Sequence, residues 1–123
     1  MKWELIADEG KKTVICLAEG AVTYEEAFQA SKETAEKAHS LGFHALFDAR
    51  KTYLSVKLLD AYRFPAEHGD VFRELIYKGL KTAMIYNPKE AEFYRFYETT
   101  ANNNGVNIRV FTEEGEAFKW LSG

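Results

Sequence analysis

The segment KTAMIYNPKE, residues 81–90, decides the fold class of this chain. Its first six residues form a mainly apolar run that predicts a strand. Asn87 then supplies a side chain able to cap a helix, Pro88 has the fixed φ of a first helical residue, and Glu90 stands at the capping-box position. A strand that leads directly into a helix predicts a crossover connection to a parallel strand.

The same alternation continues toward the carboxyl terminus. The helix after Asn87 is predicted to reach about Ala101, because residues 102–105, Asn-Asn-Asn-Gly, break it. Residues 106–111 are predicted to form the last strand, and Thr112 is predicted to cap a final helix. Two strand–helix units therefore close the chain.

Toward the amino terminus, WELIAD and TVICLAEG predict an antiparallel hairpin with its turn at residues 9–12. Thr23 and Glu26 have capping-box spacing, so a helix is predicted from Thr23 to Gly42, with the Glu26 carboxylate reaching back to the cap amide. Residues 43–47 are predicted to be the next strand. The helix is predicted to bury one face, made of Tyr24, Phe28, Ser31, Ala35 and Ala38.

The stretch LFDARKTYLS, residues 46–55, mixes an acid, two cations and three hydroxyls where the third strand is expected to stop. Its part after Phe47 is predicted to be a loop, followed by a short helix over residues 55–63 with Ser55 as its cap. Pro65 predicts a break, because proline lacks an amide hydrogen and disfavours helical geometry in the residue before it. A second helix over residues 66–77 is expected after the break.

The resulting order, ββαβααβαβα, predicts an α/β fold: a mixed, mostly parallel sheet of about five strands with an N-terminal antiparallel hairpin and four to five helices. A length of 123 residues fits one domain, residues 1–123. A formal net charge of -3 with interspersed signs gives no basic stripe, so no nucleic-acid binding is predicted. No apolar run could span a bilayer and no signal pattern opens the chain, so a cytoplasmic location is expected.

Templates for metal, cofactor and catalytic sites do not fit the sequence. His39, His44 and His68 lack the spacing that aims two ring nitrogens at one ion, so no metal site is predicted. The glycines form neither a dinucleotide fingerprint nor a phosphate loop, and no cofactor is predicted. No strand-turn nucleophile elbow occurs either, so a non-enzymatic protein is expected.

Ligands of such sheets bind beyond the carboxyl ends of the parallel strands. The residues predicted to bind a ligand or partner at this edge are Asp48, Arg50, Lys51, Tyr53 and Asn87. The aromatic helical segment EFYRFYE, residues 92–98, adds Tyr94 and Tyr97 to them, because four aromatics exceed one narrow core stripe. The alternative is that Phe93 and either Phe96 or Tyr97 pack on the sheet while the tyrosine hydroxyls meet water.

The whole order of elements resembles the STAS fold of anti-sigma-factor antagonists, and more closely its SpoIIAA-like branch, grouped with Sec14-type lipid-binding domains. The resemblance is carried by Phe47-Asp48-Ala49-Arg50, by Pro65, by the strand at residues 81–85 and by VFTEEGEAFKWL, residues 110–121. It implies a regulatory or binding domain for a protein partner or a small apolar or acidic, lipid-like molecule. Peripheral lipid contact and homodimer formation stay open.

In STAS regulators a serine in an Asp-Ser-Ser-Gly segment is phosphorylated, and the resemblance implies a site after the third strand. That segment is absent here, and Ser55 or Thr52 would be the acceptor beside the cations Arg50 and Lys51. A phosphorylation switch is therefore the alternative function. A small enzyme using Asp48 as acid or base is a third hypothesis, which requires a raised pKa for that carboxyl.

Overall fold

The computed structural model describes residues 1–75 and 80–123. The strands there are β1 (Lys2–Asp8), β2 (Thr13–Val22), β3 (His44–Leu54), β4 (Thr82–Ile85) and β5 (Ile108–Phe111). The helices there are α1 (Tyr24–Leu41), α2 (Asp60–Leu75), α3 (Ala91–Asn103) and α4 (Glu114–Ser122), with a 3-10 turn at Pro88–Glu90. The predicted helical residues 76 and 77 lie outside the described part.

The strands form one sheet in the order β1-β2-β3-β4-β5. β1 pairs with β2 antiparallel, and the other three pairings are parallel. The predicted fold class is thus confirmed, including the N-terminal hairpin. The parallel strands end at one edge, at Val22, Leu54, Ile85 and Phe111, which we call the carboxyl edge.

Helices cover both faces of the sheet. On one face Ala35 of α1, Phe64 of α2 and Ala101 of α3 pack together in a core that includes Ile108 of β5. On the other face Leu46 and Ile85 of the central strands pack against α4. Because neighbouring strand residues point to opposite faces, β4 contributes to both cores, with Met84 on the first and Ala83 and Ile85 on the second.

The ends of α1 match the predicted caps. The Thr23 hydroxyl accepts a hydrogen bond from the Glu26 amide at 3.3 Å, and Gly42 closes the helix with a left-handed φ of 68°. The Glu26 carboxylate does not reach the cap amide as predicted; it accepts from the Thr23 hydroxyl and from the Met1 amino group, each at 3.0 Å. On the predicted face Ala35 and Ala38 are buried, whereas Tyr24, Phe28 and Ser31 are half-buried.

The prediction of a loop after Phe47 is wrong, because β3 continues to Leu54. Leu17 of β2 lies opposite Asp48, but Glu19 lies opposite Lys51, so β3 carries one extra residue. Such a bulge bends a strand without ending its pairing. Local hydrogen bonds support it, since the Asp48 carboxylate accepts from the Arg50 amide at 3.2 Å.

The two helices predicted around Pro65 are a single helix, α2, which begins at Asp60 and contains the proline. Ser55 therefore does not cap a helix; its amide donates to the Val22 carbonyl at 2.9 Å. Instead Asp60, the first residue of α2, accepts a hydrogen bond from the Lys57 amide through its carboxylate, at 3.0 Å.

Two further caps differ from prediction, and one is confirmed. The Asn87 side chain accepts from the Lys89 amide at 3.1 Å, as a helix cap should. Glu90, expected in a capping box, instead accepts from the Leu54 amide at 2.8 Å and so holds the end of β3. Thr112 is not the cap of α4, which starts at Glu114 without a side-chain cap bond.

His44 links the starts of two strands and predicts a pH dependence of stability. Its Nδ1 accepts from the Lys81 amide at 2.9 Å, which requires an unprotonated Nδ1. Burial, and then the charge of Lys81, lower the pKa of His44 below its ordinary 6.5. The stability contributed by the neutral ring is therefore complete above about pH 6.5 and falls as the pH drops toward the lowered value.

Urea unfolding between pH 5 and 8 measures this effect. We expect His44→Asn, which keeps an acceptor oxygen near Nδ1 but cannot titrate, to show a smaller loss of stability toward pH 5 than the wild type. An identical pH slope in both proteins would show that His44 does not carry the dependence.

Candidate functional site

An apolar cavity of about 90 Å³ lies between the sheet and helices α1, α2 and α3. On the same measure a single water needs about 10–15 Å³, so the space suits a small organic molecule. The aliphatic and aromatic side chains that line it include Val22, Ala27, Ala30, Phe47, Leu54, Val56, Phe64, Met84, Phe93, Tyr24, Tyr94 and Tyr97.

The cavity lies at the carboxyl edge of the sheet. Val22 and Leu54, the last residues of β2 and β3, line it. Val56 and Asp60, on either side of the turn that leads into α2, line it as well. The sequence predicts a binding site at this edge from strand order alone, and the structure has a partly open apolar cavity there.

A second cavity of about 30 Å³ lies deeper, toward β5. The side chains that border both cavities are Ser31, Phe47, Phe64, Met84 and Tyr97. Met84 is unbranched and can change rotamer with little strain. A modest side-chain movement at this wall would therefore join the two spaces and admit a longer ligand.

Tyr94 forms one wall of the larger cavity. It is buried and stacks on Tyr86 with ring centroids 5.2 Å apart. Burial is the main cause that raises the pKa of Tyr94 to about 12; a hydrogen bond with Thr52 opposes the rise and the charge of Glu90 adds to it. The phenol is therefore neutral at physiological pH and already has a partner in Thr52.

Tyr97 lies one turn further along α3 and borders both cavities. Burial raises the pKa of its phenol, and the neighbouring phenols of Tyr94 and Tyr24 raise it further. Among the described residues its hydroxyl has no hydrogen-bonding partner. It is a neutral donor held in largely apolar surroundings.

Asp48 is tied to Arg50 rather than poised for acid–base chemistry. The Arg50 guanidinium donates to both carboxylate oxygens, at 2.9 and 2.6 Å. Burial raises the pKa of Asp48, but the hydrogen bonds from Arg50 and the charges of Arg50 and Lys51 outweigh it, and the net pKa is lowered. The raised pKa that the hypothesis of a small enzyme requires is not found at this carboxyl.

The structure brings only some of the predicted site residues together. Asp48, Thr52, Tyr94 and Tyr97 line the apolar cavity. Arg50 and Lys51 border a separate groove of about 400 Å³ along β1 and β2.

The remaining predicted residues lie outside the cavity. Tyr53 is 62% exposed, and the Asn87 side chain caps the turn after β4. Of the two predicted phosphoacceptors, Ser55 is exposed, whereas Thr52 is buried and donates to the Ala49 carbonyl at 2.7 Å.

Several cavity residues were not predicted as site residues, notably Tyr24, Phe64, Met84 and Val56. Tyr24 was assigned to the buried face of α1, and Phe64 directly precedes Pro65 in the sequence. Their aromatic character was the available signal. The sequence did not indicate that α1 packs against α2, which places the ring centroids of Tyr24 and Phe64 5.5 Å apart.

Across the described residues, no group of three or more His, Cys, Asp or Glu side chains is arranged to hold a metal ion. Likewise, the described part of the chain contains no helix long and apolar enough to cross a membrane. Comparison of the chain with protein-family models, curated proteins and solved structures gives no match.

Proposed function

We propose that this chain is a non-enzymatic binding domain whose cavity takes a small apolar molecule at the carboxyl edge of the sheet. The single observation that carries the proposal is the cavity of about 90 Å³. Protein cores are normally close-packed, with few voids larger than a water. At about 24 cal/mol per Å³ a ligand that fills this volume would recover about 2 kcal/mol of lost contacts.

The segment beside the cavity supports the proposal. Leu58 and Leu59 are exposed, although they lie between Val56 and Asp60, which both line the cavity. Exposed leucines beside an apolar opening favour the approach of apolar molecules. The resemblance to SpoIIAA-like and Sec14-type domains agrees with a binding role and forms part of this proposal.

Filling the cavity tests the proposal. Ala27 on α1 lines the cavity, so we expect the larger side chain of Ala27→Leu to occupy ligand space. Toluene, followed by ligand-observed NMR and thermal unfolding, should bind the wild type and raise its melting temperature. We expect Ala27→Leu to weaken toluene binding at least about tenfold, equivalent to about 1.4 kcal/mol.

Ala66→Leu is the matched control, because it adds the same atoms to an exposed position on α2 that does not line the cavity. It should leave toluene binding unchanged. Toluene binding that is equally strong in Ala27→Leu, or absent from the wild type, would contradict the proposal.

A further inference from the structure

The polar groups around the cavity restrict the chemistry of its ligand, and this step rests on the proposed function. Among the described residues no Lys, Arg or His side chain lines the cavity, whereas Asp48, Asp60 and Met1, which carries the N-terminal amino group, do. A buried anion needs a paired cation or several donors, and the cations here are already paired: Arg50 with Asp48, Arg63 with Asp60 and the Met1 amino group with Glu26. A carboxylate or phosphate inside the cavity is therefore disfavoured.

Three phenols meet at this site, and two of them are engaged. The Tyr24 hydroxyl donates to the Glu67 carboxylate, and the Tyr94 hydroxyl is hydrogen-bonded with Thr52. Tyr97, which borders both cavities, has no such partner among the residues described. Because no fully buried side-chain oxygen of the described residues lacks a partner, the half-buried Tyr97 keeps its hydroxyl accessible. A ligand with an acceptor can therefore take a hydrogen bond from it, which would add to the free energy of binding.

We infer that the ligand is a neutral, mainly apolar molecule with one hydrogen-bond acceptor, such as a ketone, ester or ether oxygen, that accepts from the Tyr97 hydroxyl. The position of Tyr97 at the wall between the cavities allows the acceptor to lie in the larger space while an apolar tail extends toward the smaller one. The high pKa of the phenol keeps it a donor throughout the physiological range.

The test uses two probes of nearly equal shape, cyclohexanone and methylenecyclohexane, which differ by an oxygen in place of a CH₂ group. Affinities are measured by NMR titration for the wild type, Tyr97→Phe and Tyr94→Phe. A net hydrogen bond of about 0.5–1.5 kcal/mol corresponds to a factor of about 2–13. Tyr97→Phe should lower the affinity for cyclohexanone by such a factor. The affinity for methylenecyclohexane should be unchanged or higher.

Tyr94→Phe is the control, because it removes a phenol from the same helix and cavity that already has a protein partner. It should leave the ratio of the two affinities within about twofold of the wild type, since the Tyr97 donor remains. Its melting temperature should fall, whereas that of Tyr97→Phe should stay equal or rise. Cyclohexanecarboxylate should bind more weakly than either neutral probe.

The outcomes separate the two proposals. Equal effects of Tyr97→Phe on both neutral probes, a clear destabilisation by Tyr97→Phe, or a preference for the carboxylate would overturn the inference while the apolar site stands. Failure of all three probes to bind would overturn the site itself and the inference with it.

Discussion

Replacing Leu46 by Ala should lower the free energy of unfolding by about 2–5 kcal/mol. Leu46 is 1% exposed and heads the largest fully buried side chains of the described residues. It lies in the central strand β3 and packs with Ile85 of β4 and with Ala117 and Leu121 of α4. Truncation leaves a cavity between a sheet and a helix that are both held by other contacts, so little collapse can relieve it.

Urea denaturation followed by circular dichroism measures this loss. Leu59→Ala is the matched control, because Leu59 is 71% exposed and its truncation should change stability by less than about 0.5 kcal/mol. Similar midpoints for the two variants would mean that the Leu46 side chain does not support the core between the sheet and α4.

Local signals explain why the fold class could be predicted. The hairpin, the Thr23 cap, the left-handed Gly42 and the Asn87 cap each depend on residues within about one turn of each other. Strands that alternate with helices then require crossovers, and these fix the parallel pairings. The order of the strands and helices could therefore be predicted without knowing any contact between residues distant in sequence.

Two of the errors are explained by partners distant in sequence. The bulge in β3 depends on pairing with β2, so Asp48 and Arg50 looked like a turn when read alone. Glu90 has the spacing of a capping box, but its carboxylate bonds to the Leu54 amide, 36 residues away. A tertiary partner replaced the local one in each case.

The residues of the candidate site were likewise predicted only in part. Tyr94 and Tyr97 were selected for their aromatic excess, and both line the cavity. Arg50 and Lys51 were predicted to bind together with them, because the residues of a predicted loop cannot be assigned to one face of the sheet. That segment is a strand with a bulge, and within it Arg50 and Lys51 border the other groove, whereas Thr52 and Leu54 line the cavity.

At Pro65 a contact between two helices outweighs the tendency of proline to end a helix. A proline at this position cannot donate to the Ala61 carbonyl one turn earlier. The Thr100 hydroxyl of α3 donates to that carbonyl instead, at 2.6 Å, and both residues are buried. The helix therefore continues through Pro65 because a neighbouring helix satisfies the acceptor that the proline leaves free.

Thr100→Val keeps the shape but removes the donor, and should lower the free energy of unfolding by about 1–3 kcal/mol, the cost of a buried unsatisfied carbonyl. Pro65→Ala restores an amide that can donate to Ala61 within α2. In the Thr100→Val background it should recover at least about 1 kcal/mol, whereas in the wild type, where Ala61 already has Thr100, its effect should be smaller.

Urea unfolding of the four proteins completes a double-mutant cycle. We expect a coupling between positions 65 and 100 of about 0.5–3 kcal/mol, in the direction of rescue. Additive effects would mean that Thr100 acts through packing alone.

Because Tyr97 lies one turn before Thr100 on α3, the same bond also fixes the helix that carries the cavity donor against α2. A loosened contact in Thr100→Val should therefore weaken cyclohexanone binding as well, and Pro65→Ala should restore it.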